Sequence, residues 1–330
     1  MSDSETEKAY GPARPRRVAR AHRFAHHAMA CAWEAYFIND DPAYAQQAMQ
    51  AVFDEIDHLE QEFSRFIPHS DVARINALQA GQSVRVGIET MECLVLAERI
   101  RLQTGGAFDV AFRSTPPDAS QITPDSQTRD TTDTREDAVS RLRGVIELDH
   151  AERLVTVRQG AVNVDLGALG KGYAIDQAIK TLEDWGFEEF LLHAGQSTVY
   201  ARGAPPGESA WEVSLRHPQD PEKTLGRVKL RDQALSGTGR ILHGPHIIDP
   251  RTGEPAHGAP GSWVSAASAA ESDALSTAFL VLSPHQVSEY CARHPDVAAI
   301  VCVGLEPELE MLQFGSTLHL EQSAFGSETP

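Results

Sequence analysis

Apolar residues recur three and four positions apart between Pro42 and Phe63. Ala45, Met49, Val52, Phe53, Ile56, Leu59 and Phe63 fall on one face of a helix, with Asp40 or Asp41 near its start. A second helical span runs from about Glu89 to Leu102 and meets Gly105-Gly106, where a left-handed cap is sterically easy. Shorter apolar runs predict strands at Trp33–Ile38, Val145–Leu148, Leu154–Val157, Phe190–Ala194, Trp211–Leu215, Arg227–Leu230, Trp263–Ala267, near Val297–Val303 and Leu309–Phe314. The Val145 and Leu154 strands flank the polar turn from Asp149 to Glu152 and read as a β-hairpin. Tyr173, Ile175, Ile179 and Leu182 predict a helix ending at Gly186, and further helices are expected over Glu271–Leu282 and Pro284–His294. Strands and helices do not alternate one for one, so the chain reads as α+β with mixed strands rather than a βαβ repeat.

The polar segments set the boundaries. Residues 1–22 are Pro/Arg-rich and read as a disordered lead-in. Residues 114–136 are Ser, Thr, Asp, Pro and Gln with almost no large apolar side chain, which marks an insertion or mobile loop. Residues 319–330 read as a flexible tail, leaving 23–318 as the folded domain.

Charge changes the list of partners. Lys and Arg number 29 against 47 Asp and Glu, a net charge of −18 in 330 residues. Such a surface repels nucleic-acid phosphates and anionic membrane faces, so nucleic acid is a poor first candidate. An anionic ligand would need a local cation or a metal. The cysteines, Cys31, Cys93, Cys291 and Cys302, show neither C-x-x-C nor metal-like spacing and read as reduced, mostly buried thiols. No apolar h-region follows the N-terminal arginines, and Ala28–Ile38 is interrupted by Glu34 and too short to span a bilayer. The chain is therefore expected to carry no signal peptide, lipid anchor or membrane segment, and to be cytoplasmic.

Three segments carry candidate chemistry. In Asp165–Asp176, DLGALGKGYAID, the glycines Gly167, Gly170 and Gly172 let a turn approach a ligand, and the following helix start offers N–H groups and a positive dipole end beside Lys171. Glycine spacing alone is as readily a tight strand-to-helix turn with a solvated lysine. A Walker A loop is ruled out, because Asp165 stands where its first Gly belongs and Gly172 where its Ser/Thr belongs. In Glu271–Phe279, Asp273 and Thr277 are i and i+4 on one helix face, a carboxylate and a hydroxyl suited to Mg²⁺, although an Asp in a first turn also suits the helix dipole. In His246–Pro255, a strong Asp-Pro-Arg-Thr-Gly turn follows His246, a structural hydrogen-bonder or, near a phosphate, a proton relay. Two further segments are Thr104–Val110, with Asp109 after a glycine pair, and Phe63–Asn76, with Phe66 at a helix end.

Taken in order, FSRFIPHSDVARIN, TGGAFD, DLGALGKGYAID, HIIDPRTGEP and DALSTA resemble the motifs of the FAD:protein FMN transferase (ApbE) family, over about Phe24 to Phe314. The resemblance implies a mixed-sheet α+β fold with helices packed on the sheets and two lobes around a central flavin-nucleotide cleft. It implies Mg²⁺ held by Asp273, Thr277 and the backbone oxygen of Ala168, and FAD as substrate. Lys171, Gly167 and the neighbouring glycines would contact the phosphates, with Met29 and Phe66 against the flavin or adenine. Asp109 and Asp176 would shape the site, and Gly195 would belong to it. His246 and Asp273 would be catalytic, His246 lying near the reacting phosphate. The implied reaction moves FMN from FAD to a Thr or Ser hydroxyl of an acceptor protein and releases AMP. Alternatives are an FAD pyrophosphatase giving FMN and AMP, and a non-catalytic FAD-binding protein. The sequence departs from the family pattern at Met29-Ala30-Cys31, where M-G-T is usual, and at Gly195-Gln196-Ser197, where G-G-[DE] is usual.

Overall fold

In the strand β2 (Cys31–Ile38), Trp33, Ala35 and Phe37 point to one face and Tyr36 to the other, and all four are buried, so this strand is covered on both sides. It forms a hairpin with β1 (Ala21–Ala28) through Met29 and Ala30, whose φ values of 50° and 56° are those of the two-residue turn that matches strand twist. The computed structural model describes residues 21–38, 41–112, 139–218, 220, 223–239, 247–304, 309–318 and 320–322. The lead-in to residue 20, the insertion expected over 114–136, His246 and residues 323–330 lie outside the described residues.

The chain divides into two units: Met1–Ile56, Lys171–Ile248 and Pro255–Pro330 form the first, and Asp57–Gly170 with Asp249–Glu254 form the second. The remaining strands of the first unit are β7 (Phe190–Ala194), β8 (Thr198–Arg202), β9 (Trp211–Arg216), β10 (Thr224–Leu230), β11 (Gln233–Gly239), β12 (Gly261–Ala266), β13 (Ala298–Val303), β14 (Glu310–Phe314) and β15 (Leu320–Gln322). Eight of its strands form a sheet in the order β1-β2-β7-β8-β11-β12-β13-β14, and three form a smaller sheet, β15-β10-β9. Tyr36, Leu191, Val199, Leu235 and Ile300 of the large sheet pack with Trp211, Val213, Val228 and Leu230 of the small one in a shared apolar cluster. Three helices of this unit are α4 (Gly170–Asp184), α5 (Ala269–Ala278) and α6 (Pro284–Arg293), and α5 lies on β8, β11 and β12. The apolar stripe of α1 (Pro42–Phe63) is buried as its spacing requires, and Asp41 Oδ1 accepts the N–H groups of Ala43 and Tyr44 at its start.

The second unit holds a four-stranded sheet, β3 (Ser83–Arg85), β6 (Leu154–Val157), β5 (Ile146–Asp149) and β4 (Val139–Leu142), with α2 (Asp71–Asn76) and α3 (Ile88–Gln103). The β5–β6 hairpin forms as expected, and α3 ends at Gly105 and Gly106 with φ of 59° and 81°.

The α+β class holds, but every pairing among the described strands is antiparallel, where mixed strands were expected. Two boundaries shift as well. The sheet begins at Ala21, ahead of the predicted first strand, because β1 is an edge strand whose Arg23, Ala25 and His27 face solvent and dilute the apolar signal. At the other end, Leu320–Gln322 pairs with β10 instead of forming part of a tail, and Leu320 packs against the apolar cluster.

Candidate functional site

The start of α4 and the start of α5 meet in the first unit. Gly172 makes that approach possible: a Cβ there would lie 2.2 Å from the carbonyl oxygen of Ala269 and 2.7 Å from Cα of Ala270. The second glycine of the GKG stretch is thus required by helix packing, a constraint the sequence pattern did not reveal. Asp176, one turn further along α4, accepts the Ser268 hydroxyl (2.7 Å) and the backbone N–H groups of Ala269 (2.7 Å) and Ala270 (3.0 Å). Its carboxylate occupies the positive end of α5. Burial raises its pKa, and those hydrogen bonds oppose the rise without cancelling it. Asp176 therefore holds the start of α5 in place. Asp176→Ala leaves two helix-start N–H groups without their acceptor and is expected to cost about 2–3 kcal/mol. Urea unfolding measures this, and Asp176→Asn, which keeps one oxygen, is expected to lose less.

Asp273, on the first turns of α5, is 3% exposed. Its Oδ2 accepts the Gly172 N–H at 3.2 Å, and its Oδ1 accepts the Thr198 hydroxyl at 3.2 Å. Both donors are neutral. A buried carboxylate without a cationic partner, as this one is among the described residues, is costly, and these two bonds use about half of its acceptor capacity. Thr277 is half-buried on the same helix, one turn on. Among the described residues, no three His, Cys, Asp or Glu side chains converge as a metal-binding group. A metal here would take most of its shell from phosphate and water, which suits Mg²⁺.

Beneath α5 lies a layer of hydroxyls, of which Thr198, Ser236 and Ser276 are buried and Thr238 is half-buried. The Ser236 hydroxyl donates to Thr198 Oγ1 (3.3 Å), Thr238 and Ser276 share a 2.7 Å bond, and the Ser276 hydroxyl reaches the Asp273 carbonyl at 2.8 Å. Thr198, Ser236, Thr238 and Ser276 were not singled out as candidate site residues from the sequence. The signal available was the period-two hydroxyl pattern of Ser236 and Thr238, which marks a polar strand face under a helix.

Met29 sits half-buried in the β1–β2 turn, and Gly195 opens the β7–β8 turn with φ of 56°. The two turns are neighbours. Gly195 donates its N–H to the Ala32 carbonyl at 2.7 Å, and a Cβ at Gly195 would stand 3.0 Å from that of Cys31. The structure thus brings together Lys171, Asp176, Asp273 and Thr277 around the two helix starts, and Met29 and Gly195 at two adjacent hairpin tips. The cysteines are unbridged; Cys93, Cys291 and Cys302 are buried, and burial raises the Cys291 and Cys302 thiols to about 11 and about 12.

In the second unit, Phe66 is 81% exposed, with the Arg65 guanidinium 4.8 Å from its ring centroid. Arg65 also pairs with Asp165 at 3.2 Å. That pair fixes Phe66 beside the Asp165–Leu169 turn, which contains Gly167 and Ala168. The Gly167 N–H closes the turn on Asp165 Oδ1 at 2.9 Å. Asn76 clamps the run into this turn, exchanging two hydrogen bonds with the backbone of Val164. Asp109 is buried against Arg143 at 3.1 Å and accepts the Ala111 N–H at 2.8 Å. Its neighbour Val110 accepts the Asp165 N–H at 2.9 Å. Asp109 thus shapes the loop beside the turn.

Burial raises the Asp109 pKa more than its hydrogen bond and Arg143 lower it. A group whose folded pKa is raised contributes stability that is complete below the unfolded value and is lost as pH rises through the folded one. Asp109→Asn is expected to flatten that part of the stability profile, just above the ordinary carboxylate range, as read by urea unfolding at stepped pH.

Comparison with known proteins places these features in a family. A family profile described as the ApbE family matches residues 29–301. The FAD:protein FMN transferase of Klebsiella pneumoniae (strain 342) is 25% identical over 284 residues, covering 78% of this chain and 77% of that protein. The FAD:protein FMN transferase of Treponema pallidum (strain Nichols) is 27% identical over 288 residues, covering 78% and 77%. Among solved structures, the flavin transferase ApbE from Vibrio cholerae superposes with a TM-score of 0.73 at 17% identity, covering 89% of this chain and 97% of that one. The apo form of the Pseudomonas stutzeri flavinyl transferase gives 0.72 at 21% identity, covering 89% and 94%. At these identities the superpositions bear on the fold alone. Among the described residues, no helix is long and apolar enough to cross a membrane.

Proposed function

The chain belongs to the ApbE family, and from that premise we propose that it is a transferase that moves FMN from FAD to a Thr or Ser hydroxyl of an acceptor protein, with AMP as the leaving group. The observation that carries this reading furthest is Asp273, a buried carboxylate that among the described residues faces only neutral donors, where α4 and α5 begin. Its fit to a divalent cation rests on that donor set. Asp273 and Thr277 are the side chains that would hold Mg²⁺, which when bound supplies positive charge against the pyrophosphate of FAD.

The chain's own residues do the rest. Lys171 adds a cation in the first turn of α4, a place where helix N–H groups favour phosphate oxygens. Asp176 keeps α5 seated on α4, so Asp273 and Thr277 stay aligned. The exposed ring of Phe66 offers a flat apolar face on which a purine or flavin ring can stack. In the transfer, a bond forms from the acceptor oxygen to the FMN phosphorus as the phosphorus–oxygen bond to AMP breaks. The hydroxyl proton leaves to a base, the role proposed for His246, which lies outside the described residues. This is in-line phosphoryl transfer, in which positioning and charge stabilisation carry most of the rate.

Product analysis of the purified chain with FAD tests the reading. With Mg²⁺ and no acceptor, the transferase is expected to leave FAD largely intact, and chelation with EDTA to abolish whatever turnover an acceptor elicits. Stoichiometric free FMN and AMP without acceptor would assign a pyrophosphatase instead. Intact FAD under every condition would leave an FAD-binding protein.

A further inference from the structure

We propose that Thr198 is a positioning residue for Asp273, with Ser236 behind it, and that this pair of buried hydroxyls turns the carboxylate toward a bound divalent cation. The inference rests on the reading of Asp273 as a metal ligand. Thr198 is the first residue of β8 and lies directly opposite Ser236 of β11 in the sheet. They are 2% and 0% exposed, so water does not compete for either hydroxyl. Their hydrogen bonds run in one line: Ser236 donates to Thr198 Oγ1 at 3.3 Å, and Thr198 donates to Asp273 Oδ1 at 3.2 Å.

The other hydroxyls of this layer do something different. Ser272 and Ser276 donate to main-chain carbonyls of Val264 and Asp273, and Ser262 donates to that of Ser276. Those bonds seat the helix on the sheet. Among the hydroxyls of the described residues, Thr198 alone spends its proton on the Asp273 side chain, and Ser236 supports it in doing so. With Gly172 N–H on Oδ2 and Thr198 O–H on Oδ1, the two carboxylate oxygens are fixed from two elements, α4 and β8. Rotation of the carboxylate would break both bonds, and the remaining lone pairs keep a set direction.

The place of Thr198 in the chain adds a second reason. It follows immediately on Gly195-Gln196-Ser197, the turn that departs from the family pattern. The carbonyl of Ser197 accepts the Gly237 N–H at 2.6 Å, which ties the start of β8 to β11 whatever side chains the turn carries. The support for Asp273 is therefore independent of the missing carboxylate.

The test is Mn²⁺ binding, read from the electron paramagnetic resonance signal of the free ion, for the full chain with and without FAD. Thr198→Val keeps the shape and removes the donor; it is expected to weaken Mn²⁺ binding about tenfold, the usual scale for a residue that orients a metal ligand. Metal-free FAD binding, followed by flavin fluorescence, is expected to stay at the parent level, which general structural damage would not allow. Thr198→Ser, which restores the hydroxyl, is expected to return Mn²⁺ affinity to within about threefold of the parent. Ser236→Ala, a milder change that leaves the bond from Thr198 to Asp273 in place, is expected to lose about two- to threefold and decides the matter if Thr198→Val does not fold. Parent-like Mn²⁺ affinity in Thr198→Val, or in Ser236→Ala where that variant is the deciding one, overturns the positioning role and leaves the metal reading standing. A parent chain that takes up no Mn²⁺ even with FAD overturns both.

Discussion

Asp273→Asn is expected to reduce metal-dependent turnover of FAD by on the order of 10³-fold or more while the chain still folds. The substitution conserves shape, so the packing of α5 on β8, β11 and β12 is retained. What changes is charge and one hydrogen-bonding atom. Asp273 accepts from two donors, the Gly172 N–H and the Thr198 O–H. An amide can accept on its oxygen, but its NH₂ must then face the second donor. That conflict is expected to cost about 1–3 kcal/mol of stability, measurable by urea unfolding. The loss of activity is expected to be far larger than this, because the charge that would attract the cation is gone. Initial rates with saturating FAD across a Mg²⁺ titration separate the two effects. Parent-like rates at parent-like Mg²⁺ would mean that Asp273 is only a structural carboxylate.

Gly172→Ala is expected to destabilise the chain by at least ~3 kcal/mol, because its methyl group has nowhere to go. The Cβ would sit 2.2 Å from the Ala269 carbonyl oxygen and 2.6 Å from its carbon, and both atoms are backbone of the residue that opens α5. Relief requires α4 and α5 to separate. Separation stretches the bond from the Gly172 N–H to Asp273 and those from the start of α5 to Asp176. Stability and metal binding are therefore expected to fall together in this variant. Gly170→Ala, in the same motif, provides the contrast. Its Cβ would meet the edge of the Phe63 ring at 3.3 Å, a side chain that can shift, so the expected cost is under about 1 kcal/mol. Equal effects of the two substitutions in urea unfolding would refute the packing account of the motif.

The motif around Gly172 also shows where sequence reading reached and where it stopped. The turn and helix start, the position of Lys171 in the first helical turn, and the placing of Asp273 and Thr277 on one helix were legible, because each follows from local spacing, but residues 161–166 ahead of the turn form no strand. For Gly172 the sequence pattern suggested only the approach of a ligand, and its packing role was not legible. Its constraint comes from Ala269, nearly a hundred residues away, and no local pattern encodes which backbone will press on a glycine. Asp176 was read as shaping the site, and the structure shows it as the cap of a helix that begins at Ala269, a tertiary contact.

Element by element, the amphipathic helices were legible because burial imposes a period on them. Strand β1 was hidden since it is an edge strand with His and Arg on its solvent face. Strands β8 and β11 were hidden because their site-facing positions are Thr198, Ser236 and Thr238, small hydroxyl residues that carry no apolar signal. The layer that positions Asp273 is thus the part of the site that periodicity could least reveal. The sheet direction was missed for a related reason: apolar runs mark a buried strand without stating which way its neighbours run.

The measurement that reaches the central claim most directly is the intact mass of an acceptor after incubation with the chain, FAD and Mg²⁺. A panel of peptides, each with a single Thr or Ser, serves as acceptor, and Thr→Val or Ser→Ala versions serve as controls. The account predicts a mass increase of one FMN on the hydroxyl-bearing peptide, AMP in equal amount, and neither product from the control or from the Asp273→Asn chain. Free FMN that never appears on any peptide, or FAD recovered unchanged throughout, would contradict it.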